Sequence, residues 1–480
     1  MQDVDVVIVG AGISGIGAAY HLKTSCPDHS FVVFEGRDRL GGTWDLFRYP
    51  GIRSDSDMYT LGFAFKPWKG KTISDGATIL AYLEETVEEF GLGPYLRFQH
   101  RVLAANWSSE ARRWLVDVRT DAGEVERVRC KFLFMCSGYY DYARGYTPDF
   151  ADMDRYGGTL VHPQHWPEDL DYTGKRVVVI GSGATAMTLV PAMAGKAAKV
   201  TMLQRSPTYV LDLPGQDPLA ATAQRCLPER AAHVLSRWSS VTRTMAFFHF
   251  SKAAPKASKR LLMAGVRRAL GPDYDVDTHF NPRYGPWDQR LCVVPDGDLF
   301  DAINSGQAEV VTDHVERFTE TGLKLRSGAE LDADIVVTAT GLRMLIGGNI
   351  DFRRDGEPIV LKDHMAYKAM MVSDIPNMAI CFGYTNASWT LKADLTAEYV
   401  CRLLQHMRGG GYEVCVPRIR GNFGSEQPFI DLSSGYIARA VDQMPKQGSK
   451  APWRLRENYA LDLVALRYSR VDDGVMEFSR

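Results

Sequence analysis

Nothing in this chain pairs its cysteines. The eight are scattered between Cys26 and Cys415 with no Cys-x-x-C, which excludes a thiol-redox motif and argues against a disulfide framework. His162 and His165 stand near each other, but no Cys or further His completes a ligand set, so no metal site is expected. No run approaches the ~18 apolar residues of a membrane-spanning helix. A formal net charge of −2 leaves no overall basic field, so nucleic acid is not an expected partner. The start, Met1-Gln2-Asp3-Val4-Asp5, is acidic and runs straight into an apolar strand, unlike a secretion signal. These absences together set the expectation of a cytoplasmic protein with reduced thiols.

What is present is size and pattern. At roughly 150 residues per domain, a chain of 480 residues predicts two to four domains. Asp5–Val9 is a short β-branched run, the mark of a buried parallel strand. Gly10-Ala11-Gly12-Ile13-Ser14-Gly15 follows, then a helix-like stretch, then a second strand, Phe31–Phe34, ending in Glu35. Gly10 allows the tight turn, Gly12 lets backbone approach a pyrophosphate, and Gly15 lets helix and strand pack closely. The helix N-terminus favours the anion, and Glu35 can accept hydrogen bonds from ribose hydroxyls. Strand, glycines, helix, strand and acid in that order predict a dinucleotide-binding fold.

The pattern recurs. Arg176–Ile180 is a second buried strand, followed by Gly181-Ser182-Gly183-Ala184-Thr185-Ala186 and a helix-like run. Its next strand, Lys199–Leu203, ends in Gln204-Arg205-Ser206 rather than in an acid. An acid there would repel a 2′-phosphate, whereas Arg205 offers it a bidentate cation. The second site is therefore expected to take NADPH. The fold class that follows is α/β with two Rossmann-like dinucleotide-binding domains.

Between 212 and 289 no strand-like alternation stands out, and Leu235–Phe250 and Lys259–Ala269 have helical periodicity. This is expected to be a helical insertion in the second domain. From Arg230 to Gly271 it has no Asp or Glu. Two readings stand for that stretch: a solvated basic face, and contact with an anionic membrane surface aided by Met245, Phe247, Phe248 and Phe250. Small residues follow the terminal strands at Ser137-Gly138 and at Thr340-Gly341, like paired hinges. The expected division is 1–143 with 375–480 for the first dinucleotide domain, 144–211 with 290–374 for the second, and 212–289 for the insertion. Leu391–Met407 is a further expected helix, with Ser388 or Thr390 as its N-cap.

Two motifs go beyond nucleotide binding. Tyr156 to Pro167, with Gly158, His162, Trp166 and Pro167 at the key positions, resembles the fingerprint of class I Baeyer–Villiger monooxygenases, although the family usually has Phe where Tyr156 stands. Gly41-Gly42-Thr43-Trp44, then Tyr49-Pro50-Gly51, then Asp55 match a second motif of the same family, and the glycine pair resembles that of FAD-binding oxidoreductases. Further shared stretches are Gly42–Met58, His162–Tyr172, Trp287–Cys292, Gly383–Lys392 and Pro445–Ser449. The resemblance runs through nearly the whole chain and is closest to the thioamide-prodrug (ethionamide)-activating group.

The resemblance implies FAD at the first site and NADPH at the second. It implies one oxygen atom of O2 transferred, through a C4a-peroxyflavin, to a small ketone or sulfide. It makes Arg290 the catalytic cation, Asp55 the acid that holds it, and His162 an organiser of the interdomain linker. The expected cofactor-binding set is Gly10, Gly12, Ser14, Gly15, Glu35, Gly42, Thr43, Trp44, Asp55 and Trp389, with Gly181, Gly183, Ala184, Thr185, Arg205, Ser206, Thr340 and Gly341. Trp389, in the loop Tyr384–Thr390, is also a candidate pocket wall. The competing readings are an N- or S-oxygenase without Baeyer–Villiger activity, a flavin reductase, and a non-catalytic nucleotide-binding sensor. A reductase of the thiol type would often carry a reactive cysteine pair, absent here.

Overall fold

The structure, a computed structural model, describes residues 2–289, 291–430 and 435–480. Arg290 lies outside the described residues. The first fold is a nine-stranded sheet. At its centre Gln2–Val9 runs parallel to Phe31–Phe34 on one side and to Val125–Met135 on the other. Successive side chains alternate between faces. Val6 and Ile8 enter one core with Ile16, Leu22 and Leu403, while Val7 and Val9 enter another with Trp107 and Trp114. A strand apolar on both faces is stable only when both are covered, and each fully buried aliphatic side chain contributes about 1.5–3 kcal/mol.

The second fold is a five-stranded, all-parallel sheet in the spatial order Ala308–Thr312, Lys199–Gln204, Arg176–Ile180, Ile335–Thr338, Thr159–Val161. The helix Ala184–Ala194 follows its central strand, as Ile13–Ser25 does in the first fold. The chain is therefore α/β with two dinucleotide-type folds.

The return to the first sheet comes earlier than the expected boundary at 375. Asp351–Arg354 already pairs in parallel with Arg101–Ser108 of that sheet. Its sequence, Asp-Phe-Arg-Arg, has one apolar residue, so the edge strand carries no periodic signal.

The insertion is helical over Pro218–Cys226, Glu229–Ala253, Pro255–Leu270 and Val276–His279. Both expected helices exist and are longer, and Pro255 opens the second where the first has ended at Ala253. The acid-free stretch is not a uniform solvated face. Arg237 is buried and donates to the carbonyls of Tyr59 and Gly62 in the first fold. Arg243, Lys252 and Arg267 pair with Asp217, Asp288 and Asp277 from outside it. Met245, Phe247 and Phe248 are half-buried, and of the four apolar residues singled out only Phe250 is exposed. Among the described residues no helix is long and apolar enough to cross a membrane.

Candidate functional site

The first glycine loop is built as a cradle. Gly10 has φ +103°, and a Cβ there would lie 2.6 Å from the Cys136 carbonyl oxygen. A Cβ on Gly15 would lie 1.8 Å from the Gly10 oxygen, so any other residue would push helix from strand. Gly12 ends the loop as the cap of Ile13–Ser25, and no side chain caps the helix. Its first N–H groups are left for an anion. Glu35 is buried and holds this loop. One carboxylate oxygen accepts from the Ala11 N–H at 2.8 Å, the other from the Arg37 N–H at 3.0 Å. Burial raises its pKa, with those two backbone donors opposing.

A cavity of about 590 Å³ opens from this cradle. Of the expected residues, Gly10, Gly12, Ser14, Glu35, Gly42, Thr43, Trp44, Asp55, Ala184, Thr185 and Trp389 line it. Gly15 lies beneath. The cavity thus runs from the first glycine loop to the first turn of the second helix. Asp55 is exposed at the cavity; its expected partner, Arg290, lies outside the described residues.

The second glycine loop is more open. Gly181 repeats the Gly10 geometry, with φ +141° and a virtual Cβ 2.3 Å from the Ala339 oxygen. Gly183 and Ala184 are exposed, as are Arg205 and Ser206 at the end of their strand. Among the described residues Arg205 makes no ion pair. Gly181, Gly183, Arg205 and Ser206 do not line the large cavity.

Thr340 and Gly341 also stand off it, tying the two linkers together. Thr340 Oγ1 donates to the Tyr146 carbonyl at 2.6 Å, and the Tyr146 N–H donates to the Gly341 carbonyl at 3.0 Å. His162 Nε2 lies 3.3 Å from the same Gly341 oxygen, and its ring packs on Gly145 so closely that a Cβ there would sit 1.9 Å away. Gln164 and His165 reach the carbonyls of Asp141 and Ala143. Burial lowers the pKa of His162, which favours a neutral ring that organises linkers. The hydroxyl that Tyr156 adds donates to the Ala333 carbonyl at 2.9 Å. Gly158 is needed because a Cβ would meet that phenol and the Asp334 oxygen.

The Tyr-Pro-Gly segment carries the first fold into the core of the second. Tyr49 is buried there beside Val179 and Met187. Its hydroxyl bonds Thr185, and burial pushes its pKa up to about 12. Gly51, at φ +75°, packs against the helix at Thr188 and Ala192. Ser388 and Thr390 do not cap the helix Trp389–Gly410 with their side chains. Ser388 bonds Thr60 at 2.6 Å, and Thr390 donates to the Leu61 carbonyl at 2.5 Å. Both hydroxyls are buried against the neighbouring helix, Met58–Leu61, so tertiary partners outcompete the local cap. Trp389 stacks on Tyr139, with ring centres 4.9 Å apart, and donates to Ser14 Oγ at 2.7 Å.

Sequence reasoning missed several cavity residues. Arg53 lines it and is ion-paired to Asp298 of the second fold. Tyr142 lines it beside Thr43, with its pKa pushed to about 12 by burial. Tyr142 belongs to the linker 139–146, whose four tyrosines were a usable signal. Arg53 had none, since a lone arginine in a loop reads as solvated.

The residues fit dinucleotide binding in each fold: two glycine turns that a Cβ would fill, uncapped helix starts, and a cavity that runs from the first loop to Ala184 and Thr185 of the second helix. A profile for flavin-binding monooxygenase-like proteins matches residues 72–236, and one for NAD(P)-binding Rossmann-like domains matches residues 8–68. The second covers the first glycine loop, whose pyrophosphate-binding plan is common to both dinucleotides. The FAD-containing monooxygenase EthA of Mycolicibacterium smegmatis is 51% identical over 478 residues, 99% of this chain and 97% of that one. A solved structure, an oxidized steroid monooxygenase bound to NADP, superposes with a TM-score of 0.73 at 25% identity, covering 86% of this chain and 88% of its own. An open form of cyclohexanone monooxygenase shares the fold, with a TM-score of 0.73 at 22% identity over 87% and 90% of the two chains. With half its residues identical over essentially its full length, the chain belongs to the FAD-containing monooxygenases of the EthA group, within the flavin-binding monooxygenase-like family.

Proposed function

We propose that the chain is an NADPH-dependent Baeyer–Villiger monooxygenase that converts ketones to esters or lactones and also oxygenates the sulfur of thioethers or thioamides. The observation that carries this reading is the single cavity lined both by the first glycine loop and by Ala184, Thr185 and Thr188 of the second helix. A hydride donor held by the second fold can there meet a flavin held by the first. FAD, when bound, would supply the two-electron chemistry that activates O2, and the atom transferred would come from O2.

The chain's own residues do the rest. The Gly10–Gly15 cradle and the start of Ile13–Ser25 hold one diphosphate, and Glu35 fixes the loop beside the ribose. The Gly181–Thr185 turn holds the other diphosphate, and Arg205 selects the 2′-phosphate. Trp389 and Tyr139 form an apolar wall that excludes water, which would otherwise release reduced oxygen as peroxide. Arg290 is assigned the cation that stabilises negative charge growing on the ketone oxygen, with Asp55 as its counter-charge, from their places in the shared motifs. The alternative, an N- or S-oxygenase, uses the same cavity without that charge stabilisation.

Holoenzyme given NADPH and 18O2 should place one labelled atom in the ester or lactone made from a panel of cyclic and linear ketones. Sulfoxide from thioethers with no ester from any ketone would leave the alternative in its place.

A further inference from the structure

Behind the cavity wall lies a buried ionic cluster that no step above uses. Lys392, in the first turns of Trp389–Gly410, is 1% exposed, and Asp462, in the C-terminal helix Tyr459–Asp462, is 4% exposed. Lys392 Nζ donates to Asp462 Oδ2 at 2.7 Å, and the Tyr384 hydroxyl donates to that same oxygen at 2.8 Å. Tyr384 lines the cavity; Lys392 and Asp462 do not. The same C-terminal segment grips the loop again. The Thr385 N–H donates to Glu457 Oε2 at 3.1 Å, and Asn386 Nδ2 to the Glu457 carbonyl at 2.9 Å. Gly383 leaves room for Trp389 to lie flat on the loop, where a Cβ would be 2.4 Å from its ring.

A buried charge pair is a weak source of net stability, because desolvation offsets the attraction. A hydroxyl, by contrast, follows its strongest acceptor, and a carboxylate makes a stronger one than a neutral oxygen. We propose that Lys392 and Asp462 are positioning residues: they turn the Tyr384 hydroxyl away from the cavity, so that Tyr384 presents only its ring to the reacting centre. Without Asp462 the phenol is free to turn toward the cavity and bring a proton donor and water to it. Lys392 supplies the counter-charge beside the Asp462 carboxylate, so neither group is buried without a partner. Burial, with Asp462 and Glu457 adding to it, holds the Tyr384 phenol well above its ordinary pKa, so it stays a donor.

This inference rests on the proposed monooxygenase reaction. Its signature is uncoupling, in which NADPH, a proton and O2 yield NADP+ and H2O2 without oxygenated product. The test uses holoenzyme with K392M/D462L, an apolar pair of similar volume that avoids a lone buried charge. Peroxide per NADPH should rise about tenfold, as expected when a reacting centre is misaligned, with kcat for NADPH oxidation little changed. Y384F and Y384F/K392M/D462L should then have the same peroxide ratio as each other, because the hydroxyl being steered is gone. Hydrogen exchange at the 384–390 amides should quicken in K392M/D462L. An equal rise in peroxide in the wild-type and Y384F backgrounds, or none in either, would overturn the proposal. If the wild-type enzyme itself oxidised no substrate with O2, the monooxygenase reading would fail instead, and the exchange result would show separately whether the pair holds the 384–390 loop.

Discussion

The two glycine loops share their turn and their uncapped helix start and differ in what surrounds them. Gly10 and Gly181 make the same turn, each with positive φ and a neighbouring carbonyl where a Cβ would go. Beyond that turn the first loop is closed over. The Gly12 Cα faces Gly42 of the second glycine pair, and Gly15 touches the Gly10 oxygen. The second loop has nothing within 4 Å of a Cβ at Gly183 and carries Ala186 in its third position. Glu35 is buried and accepts hydrogen bonds from two backbone N–H groups, whereas Arg205 stands in solvent. The difference teaches that one turn geometry can serve retention or exchange, and that burial decides which. The closed loop suits a cofactor that stays, and the open one a cofactor that must enter and leave each turnover.

The largest effect tests whether oxygen transfer is separate from both loops. Arg290→Ala should keep oxidising NADPH while ester formation falls about 100- to 1000-fold, the usual cost of losing a group that stabilises developing charge. Product and NADPH measured in one assay check this; parallel loss of both would tie the residue to hydride delivery instead. Next comes the closed loop itself. Gly15→Ala sets a methyl against the Gly10 oxygen with no side chain able to yield. Overpacking of this kind costs about 1–3 kcal/mol or more. The purified variant should carry little flavin by absorbance and melt lower. Gly183→Ala, in open space, should keep its flavin and change stability by no more than about 0.5 kcal/mol. Equal flavin loss in the two would break the contrast.

A smaller effect concerns the open site. Arg205→Ala removes a charge-assisted partner worth about 1.5–3 kcal/mol. The ratio of kcat/KM for NADPH over NADH should fall about 10- to 100-fold, with kcat at saturating NADPH nearly unchanged. An unchanged ratio would make Arg205 a plain surface charge.

Much of this was legible before any coordinates. Two strand–glycine–helix–strand runs announce two folds because each residue answers a local requirement that leaves a local trace. The Tyr49-Pro50-Gly51 segment was visible as a motif, but its work, a tyrosine inserted into the other fold's core, was not. For Tyr156–Pro167 the resemblance already implied that His162 organises the linker; the carbonyls it and its neighbours reach were hidden, because backbone acceptors have no sequence signature. Ser388 and Thr390 show why caps mislead: the residue type was right for a cap, and tertiary burial gave the hydroxyls other partners. Lys392, Asp462 and Arg237 were illegible for a related reason. A charged residue at a helix position reads as solvated, and only packing reveals that it is enclosed with its counter-charge.

Arg237 leads to the subtlest test, which asks whether the insertion belongs energetically to the closed fold or the open one. One turn before Arg237, His233 is buried in the same long helix, Glu229–Ala253, with a pKa lowered to about 4, chiefly by burial and then by the Arg237 charge. In the unfolded chain a histidine takes up its proton near pH 6.5. Between those two values the unfolded state binds more protons, so stability rises with pH. The contribution is fully present above about pH 6.5 and is lost as pH falls towards 4, by at most about 3 kcal/mol. The melting temperature of the wild type should therefore fall more steeply between pH 7 and 4.5 than that of His233→Leu, which has no proton to take up. Because Arg237 anchors this helix to the Tyr59 and Gly62 carbonyls, flavin release on acidification should follow the same difference in slope. Equal slopes for the two proteins would mean that His233 is not held neutral by the packing, and that the insertion rests on the first fold without sharing its burial.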